Sequence, residues 1–208
     1  MSIKEISPVE GSTAYAPFLV VLLISLIREA IEDYKKAKYD TAYNNSTSNV
    51  FDFNIKQFKE ETWKNITLGQ IIKVEKDAEI PADLLIIKSS NENGFCYLKT
   101  SNLDGETNLK PREAINFYHN SINKESDLNI LGSIEIDKPN KNIYSIEGCI
   151  TKENSDKIYF NESNCLLRGG VLKKVKYIYG IVIYTGKETK MMMNIKKGAQ
   201  KKSYLDIL

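Results

Sequence analysis

The run Leu98-Lys-Thr-Ser-Asn-Leu-Asp-Gly-Glu-Thr-Asn-Leu-Lys110 carries the residues whose types and spacing best suit chemistry. Asp104-Gly105 favours a tight turn, because glycine accepts φ > 0 without steric cost. Glu106 then projects from a loop tip, where a carboxylate can accept a proton from water and orient it for attack. Thr107 and Asn108 are placed to hold the loop by local side-chain hydrogen bonds. No nucleophile, histidine or metal-ligand cluster neighbours Glu106 in sequence, and the single histidine is His119. Such a glutamate cannot run a whole reaction and would serve one whose other half lies elsewhere. A plain hairpin turn with an exposed acid shares the same Asp-Gly-Glu pattern.

A side chain of this kind needs a scaffold, and composition bounds it. The chain has 208 residues, enough for one domain with a sizeable core plus an appendage. A hydrophobic fraction of 42% excludes full disorder. A net charge of +2 supplies no basic field, and the 12 tyrosines are scattered, so nucleic acid is not an expected partner. Cys96, Cys149 and Cys165 are odd in number and far apart, which argues against both a disulfide framework and a zinc site.

Gly11–Ile27 carries no charge, and Phe18–Ile27 is almost wholly apolar. That is at the short edge of a bilayer span, for which about 17–25 residues are needed. Beyond it, Ile27, Ile31 and Tyr34 keep helical spacing, and Glu32 is placed to pair with Lys36 at i,i+4. The expectation is one long helix that leaves an apolar layer and runs into water. Arg28, Lys35, Lys36 and Lys38 on the exit side mark that side as cytosolic. The polar run Asn44–Asn49 ends the helix.

After it the pattern changes to short strands rich in β-branched and aromatic residues. These are Ile71–Val74, Leu84–Ile87, Phe95–Leu98, Ile143–Ile146, Lys157–Phe160 and Tyr177–Tyr184. Turn signals separate them at Ile80-Pro81, Asn93-Gly94, Asp104-Gly105, Lys138-Pro139-Asn140, Arg168-Gly169-Gly170 and Thr185-Gly186. Asn116–Asn142 reads as a long surface loop. The expected fold class is α+β, mainly β: a compact, jelly-roll-like domain preceded by a long, partly transmembrane helix. The expected division is 1–44 for the helix, 45–190 for the β-rich domain and 191–208 for a basic linker toward a further membrane helix.

The order of motifs carries a resemblance. Thr100-Ser-Asn-Leu-Asp-Gly-Glu-Thr-Asn-Leu-Lys110 closely resembles the actuator-domain signature of the phospholipid-flippase branch (type IV) of the P-type ATPases. Glu29–Asp33 looks like the end of that family's second membrane helix, and Pro81-Ala82-Asp83 like its Pro-Ala-Asp turn. Leu166–Gly169, Tyr179–Gly186, Thr189–Asn194 and Lys202-Ser203 follow in the family's order. Three departures fall at Gln70, where the family usually has aspartate, at Asp137-Lys-Pro-Asn140, which replaces Glu-x-Pro-Asn, and at Ile146, where phenylalanine is common.

The resemblance implies a role in ATP-driven movement of phospholipid toward the cytosolic leaflet. A catalytic aspartate elsewhere becomes an aspartyl phosphate, and the actuator loop swings in to dephosphorylate it. By motif match Glu106 positions the attacking water, while Asp104, Gly105 and Thr107 shape the loop. ATP and Mg²⁺ are expected to bind outside these 208 residues. The implied partners are phospholipid, the membrane, the remaining domains of the same ATPase and an accessory glycoprotein subunit. An alternative is a truncated, membrane-anchored β-domain that is not catalytic and binds or regulates a full-length pump.

Overall fold

The structure, a computed structural model, describes residues 15–128, 132–151 and 156–194. The chain divides into two compact units, Met1–Ser46 and Thr47–Leu208. The Lys202-Ser203 motif and residues 195–208 of the expected linker lie outside the described residues.

The first unit holds a helix, α1 (Ala16–Asn44), built from strong helix formers with a proline in its first turn. It closes where the Asn45 N–H donates to the Thr41 carbonyl. Lys36 pairs with Asp33 at 3.9 Å rather than with the expected Glu32. Its apolar end is exposed, Phe18 at 66% and Ile24 at 59%. Among the described residues no helix is long and apolar enough to cross a membrane.

The second unit is mainly β. Its elements are β1 (Thr47–Asp52), β2 (Gln57–Thr62), β3 (Ile71–Glu75), β4 (Asp83–Ser89), β5 (Phe95–Lys99), α2 (Ser101–Asp104), β6 (Leu109–Glu113) and α3 (Asn116–Ser121). There follow β7 (Ser133–Ile136), β8 (Glu147–Thr151), β9 (Lys157–Asn161), β10 (Cys165–Leu166), β11 (Val171–Lys173), β12 (Tyr177–Tyr184) and α4 (Lys190–Asn194). The described strands form three antiparallel sheets, ordered β10-β4-β12-β3-β1-β2, β11-β5-β6 and β7-β8-β9. The core is densest at β4 and β12. Leu84, Leu85, Ile86 and Ile87 have no exposed surface, so both faces of β4 are covered and its sequence is a continuous apolar run. Gly180 sits opposite this run, and a Cβ there would come within 3.0 Å of the Leu84 Cβ.

Two expectations fail. Ile143–Ile146 is a turn, not a strand; Ile146 is buried, but the strand starts one residue later at Glu147. Asn116–Asn142 is not one loop. It contains α3, a 3-10 turn at Glu125–Leu128 and β7. Ile115, Tyr118 and Ile122 are buried at helical spacing, a sparse signal hidden among asparagines, serines and lysines. One of the family departures does structural work, since the Gln70 side-chain oxygen accepts the Thr67 N–H at 2.9 Å; at Asp137 it is the backbone carbonyl, common to any residue, that accepts the Tyr184 hydroxyl at 2.5 Å.

Pro81-Ala82-Asp83 explains how distant segments meet. Asp83 is wholly buried; one carboxylate oxygen accepts the Arg168 N–H and the other the Lys190 N–H, each at 2.8 Å. Lys190, 1% exposed, in turn donates its ammonium to the Asn140 side-chain oxygen at 2.6 Å and the Ser145 carbonyl at 2.9 Å. Burial pushes the Asp83 carboxyl up to about 6, against the downward pull of those two N–H groups and of the Lys190 and Arg168 charges.

Asp83→Ala leaves two buried N–H groups without acceptors, so it is expected to cost about 2–5 kcal/mol in urea unfolding. The raised carboxyl also sets a pH dependence. The folded value lies above the ordinary 3.8, so the stability Asp83 contributes is full below about 4 and is lost as pH rises through about 6. Urea midpoints of wild type and Asp83→Asn, compared between pH 4 and 7, are expected to show that decline in wild type only, as a narrowing gap between the two.

Candidate functional site

Strands β5 and β6 pair from Phe95↔Glu113 to Lys99↔Leu109, so residues 100–108 connect the end of a hairpin. The expected tight turn at Asp104-Gly105 is not what closes it. Ser101–Asp104 forms a single helical turn, and Gly105, at φ 74°, ends it in the left-handed region. The requirement is one of backbone alone, since a Cβ on Gly105 would meet nothing within 4 Å. The Glu106 N–H then donates to Asp104 Oδ1 at 3.0 Å, an Asx turn that redirects the chain and leaves the Glu106 side chain 45% exposed.

Asp104, Gly105, Glu106 and Thr107 therefore share one loop, but they do not hold it as expected. Thr107 and Asn108 are exposed, and neither side chain hydrogen-bonds to the described residues. The work falls to Thr100, Asp104 and Lys110. The Thr100 hydroxyl donates to Asp104 Oδ2 at 3.1 Å. Lys110 Nζ lies 2.6 Å from the same oxygen and 2.9 Å from Glu106 Oε2. It also lies 5.1 Å from the centroid of the Tyr144 ring and 3.4 Å from the Tyr144 hydroxyl. The Lys110 and Asp104 side chains are only 16% and 15% exposed, so the ion pair is partly sheltered beneath the more open glutamate.

Electrostatics follow from these contacts. Burial raises the Asp104 carboxyl, but Lys110, the Glu106 N–H and the Thr100 hydroxyl outweigh it and hold the group below the ordinary range. Burial alone would lower the Lys110 ammonium; hydrogen bonds to Asp104, Glu106 and Tyr144 outweigh it and hold it above. Glu106 Oε2 is engaged by Lys110, whereas no described residue donates to Oε1, which leaves that oxygen to solvent. A carboxylate with one oxygen open in this way can accept a proton from water.

Other titratable groups serve packing. His119 is buried, its Nε2 on the Glu92 carbonyl at 2.9 Å and its Nδ1 accepting the Ser89 N–H at 3.4 Å. All three cysteines are buried and free. Burial pushes the Cys96 thiol up to about 12 and Cys165 higher still, which removes thiolate chemistry at those two positions. Among the described residues no group of three or more His, Cys, Asp or Glu side chains could hold a metal ion. A cleft of about 230 Å³ adjoins α2, between Asn102 and Leu103 on one side and Ile143, Leu167 and Met191 on the other. Sequence reasoning passed over Lys110 and Tyr144. Lys110 was findable as the cation four residues after Glu106. Tyr144 was not, because it reaches the loop only through the fold.

No family model matches the chain. Individual relatives do. The chain is 38% identical over 192 residues to phospholipid-transporting ATPase DRS2 of Saccharomyces cerevisiae, covering 92% of this chain and 14% of that protein. It is 34% identical over 207 residues to phospholipid-transporting ATPase 10 of Arabidopsis thaliana, covering 99% of this chain and 17% of the relative. Phospholipid-transporting ATPase 6 of the same plant is 36% identical over 207 residues, 99% of this chain and 16% of its own length. The chain thus spans about a sixth of the length of these relatives. With matches running along essentially its whole length, the chain belongs with the phospholipid-transporting, type IV branch of the P-type ATPases, as a homologue of one segment of them.

Proposed function

We propose that this chain is the actuator region of an ATP-driven phospholipid-translocating pump, and that Glu106 dephosphorylates the pump's aspartyl phosphate. The observation that carries the reading is Glu106 itself: a half-exposed carboxylate on a braced loop, with one oxygen paired and the other open to water. In the step, Glu106 Oε1 accepts a proton from water as the water oxygen attacks phosphorus. The phosphorus–oxygen bond to the aspartate breaks, inorganic phosphate leaves, and the aspartate carboxylate is regenerated. Little covalent chemistry is asked of the protein; positioning and charge supply the catalysis.

ATP and Mg²⁺ are proposed to bind on other domains of the same pump; the two acids of this loop already share Lys110. The exposed apolar end of α1, Phe18–Ile27, is proposed to lie in lipid, with Arg28, Lys35, Lys36 and Lys38 on the cytosolic side. The proposed partners are the phospholipid cargo, the surrounding membrane, the pump's remaining domains and an accessory glycoprotein subunit.

Glu106→Gln, made in a full-length pump carrying this segment, is expected to keep the fold and to slow phosphoenzyme decay by about 10²-fold or more, read by radiolabelled phosphate retention. Decay at the wild-type rate would sink the assignment and favour a regulatory domain without a catalytic glutamate.

A further inference from the structure

We propose that Lys110 is a positioning residue for the dephosphorylation step, tying one oxygen of Glu106 and aiming the other outward from a loop that carries a second carboxylate. The inference rests on Glu106 being the dephosphorylating group. Its basis is a geometric surplus. Asp104 alone closes the loop, since it accepts both the Glu106 N–H and the Thr100 hydroxyl. Lys110 goes further and joins Asp104 Oδ2 to Glu106 Oε2 through one ammonium, at 2.6 and 2.9 Å. An ion pair with a half-exposed glutamate adds little to stability, so stability gives a weak reason for the second contact.

The chemistry gives a stronger one. Glu106 must stay charged beside Asp104 and then approach an anionic phosphoryl group. Both neighbours repel the carboxylate, and that repulsion turns it away from the water it must meet. A cation between the two carboxylates offsets that repulsion. It also fixes which oxygen of Glu106 is tied and which is open. The groups facing Lys110 are Asp104 from α2, Glu106 from the loop and Tyr144 from the turn before β8. The Tyr144 ring anchors the ammonium from a different part of the chain, so the cation does not follow the glutamate outward.

The test starts with this chain: side-chain three-bond couplings of Glu106, which report its χ1 populations, in wild type, Lys110→Met, Lys110→Gln and Lys110→Arg. The neutral variants are expected to spread Glu106 over several rotamers, and the arginine variant to keep the wild-type one. In a full-length pump carrying this segment, Lys110→Met is expected to slow phosphoenzyme decay about tenfold and to shrink the further slowing caused by Glu106→Gln by about the same factor. Lys110→Arg is expected to restore most of both. Glu106 rotamer populations unchanged from wild type in a folded neutral variant overturn the proposal. Collapse of both neutral variants overturns it too, by making Lys110 a structural residue. Glu106→Gln separates the two readings. Fast decay in that variant sinks the role of Glu106 itself. Slow decay there, with wild-type decay in Lys110→Met, sinks only the role of Lys110.

Discussion

A carboxylate with no exposed surface must find partners for its oxygens, and much of this domain is arranged around how Asp83 finds them. Its two acceptors are filled by backbone N–H groups 85 and 107 residues further along, those of Arg168 and Lys190. The cost of burying a charge thereby becomes a constraint on topology. The start of β4, the glycine turn after β10 and the first residue of α4 have to meet at one point. Lys190 extends the constraint, since its buried ammonium donates to the Asn140 side chain and the Ser145 carbonyl. The loop from Asp137 to Ile146 is held in place through that contact and through the Tyr184 hydroxyl.

The same loop delivers Tyr144 to the ammonium of Lys110, so the buried clamp at Asp83 and the exposed glutamate are physically connected. The two acids differ in kind. Asp83 is pushed toward neutrality by burial, its oxygens wholly occupied. Glu106 is half open, with one oxygen tied and one facing solvent. Two carboxylates in one small domain thus differ in exposure and in partners, and the difference follows from their surroundings.

Glu106 sits on a short, braced connection at the end of a hairpin. The loop brings no nucleophile and no metal cluster of its own among the described residues. What it presents is a directed charge. Gly105 sets the backbone angle, Asp104 fixes the following N–H, and the hairpin β5–β6 carries the whole connection.

Periodicity and residue type by themselves determined α1, the apolar strands β3, β4, β5, β9 and β12, and the loop bearing Glu106, because each of these signals is local. Short apolar runs between turn signals read as buried strands, and glycine after aspartate marks a reversal wherever it sits. Only the tertiary structure decided the rest. Ile146 reads as part of a strand but is buried in a turn, and Tyr118 and Ile122 bring a helix out of a stretch that looks like loop. Asp104-Gly105 closes a helical turn rather than a hairpin. The loop's true brace joins Lys110 to Tyr144, 34 residues apart. Those outcomes depend on which distant groups can satisfy a buried polar atom or cover an apolar one, and a separation along the chain carries no record of that.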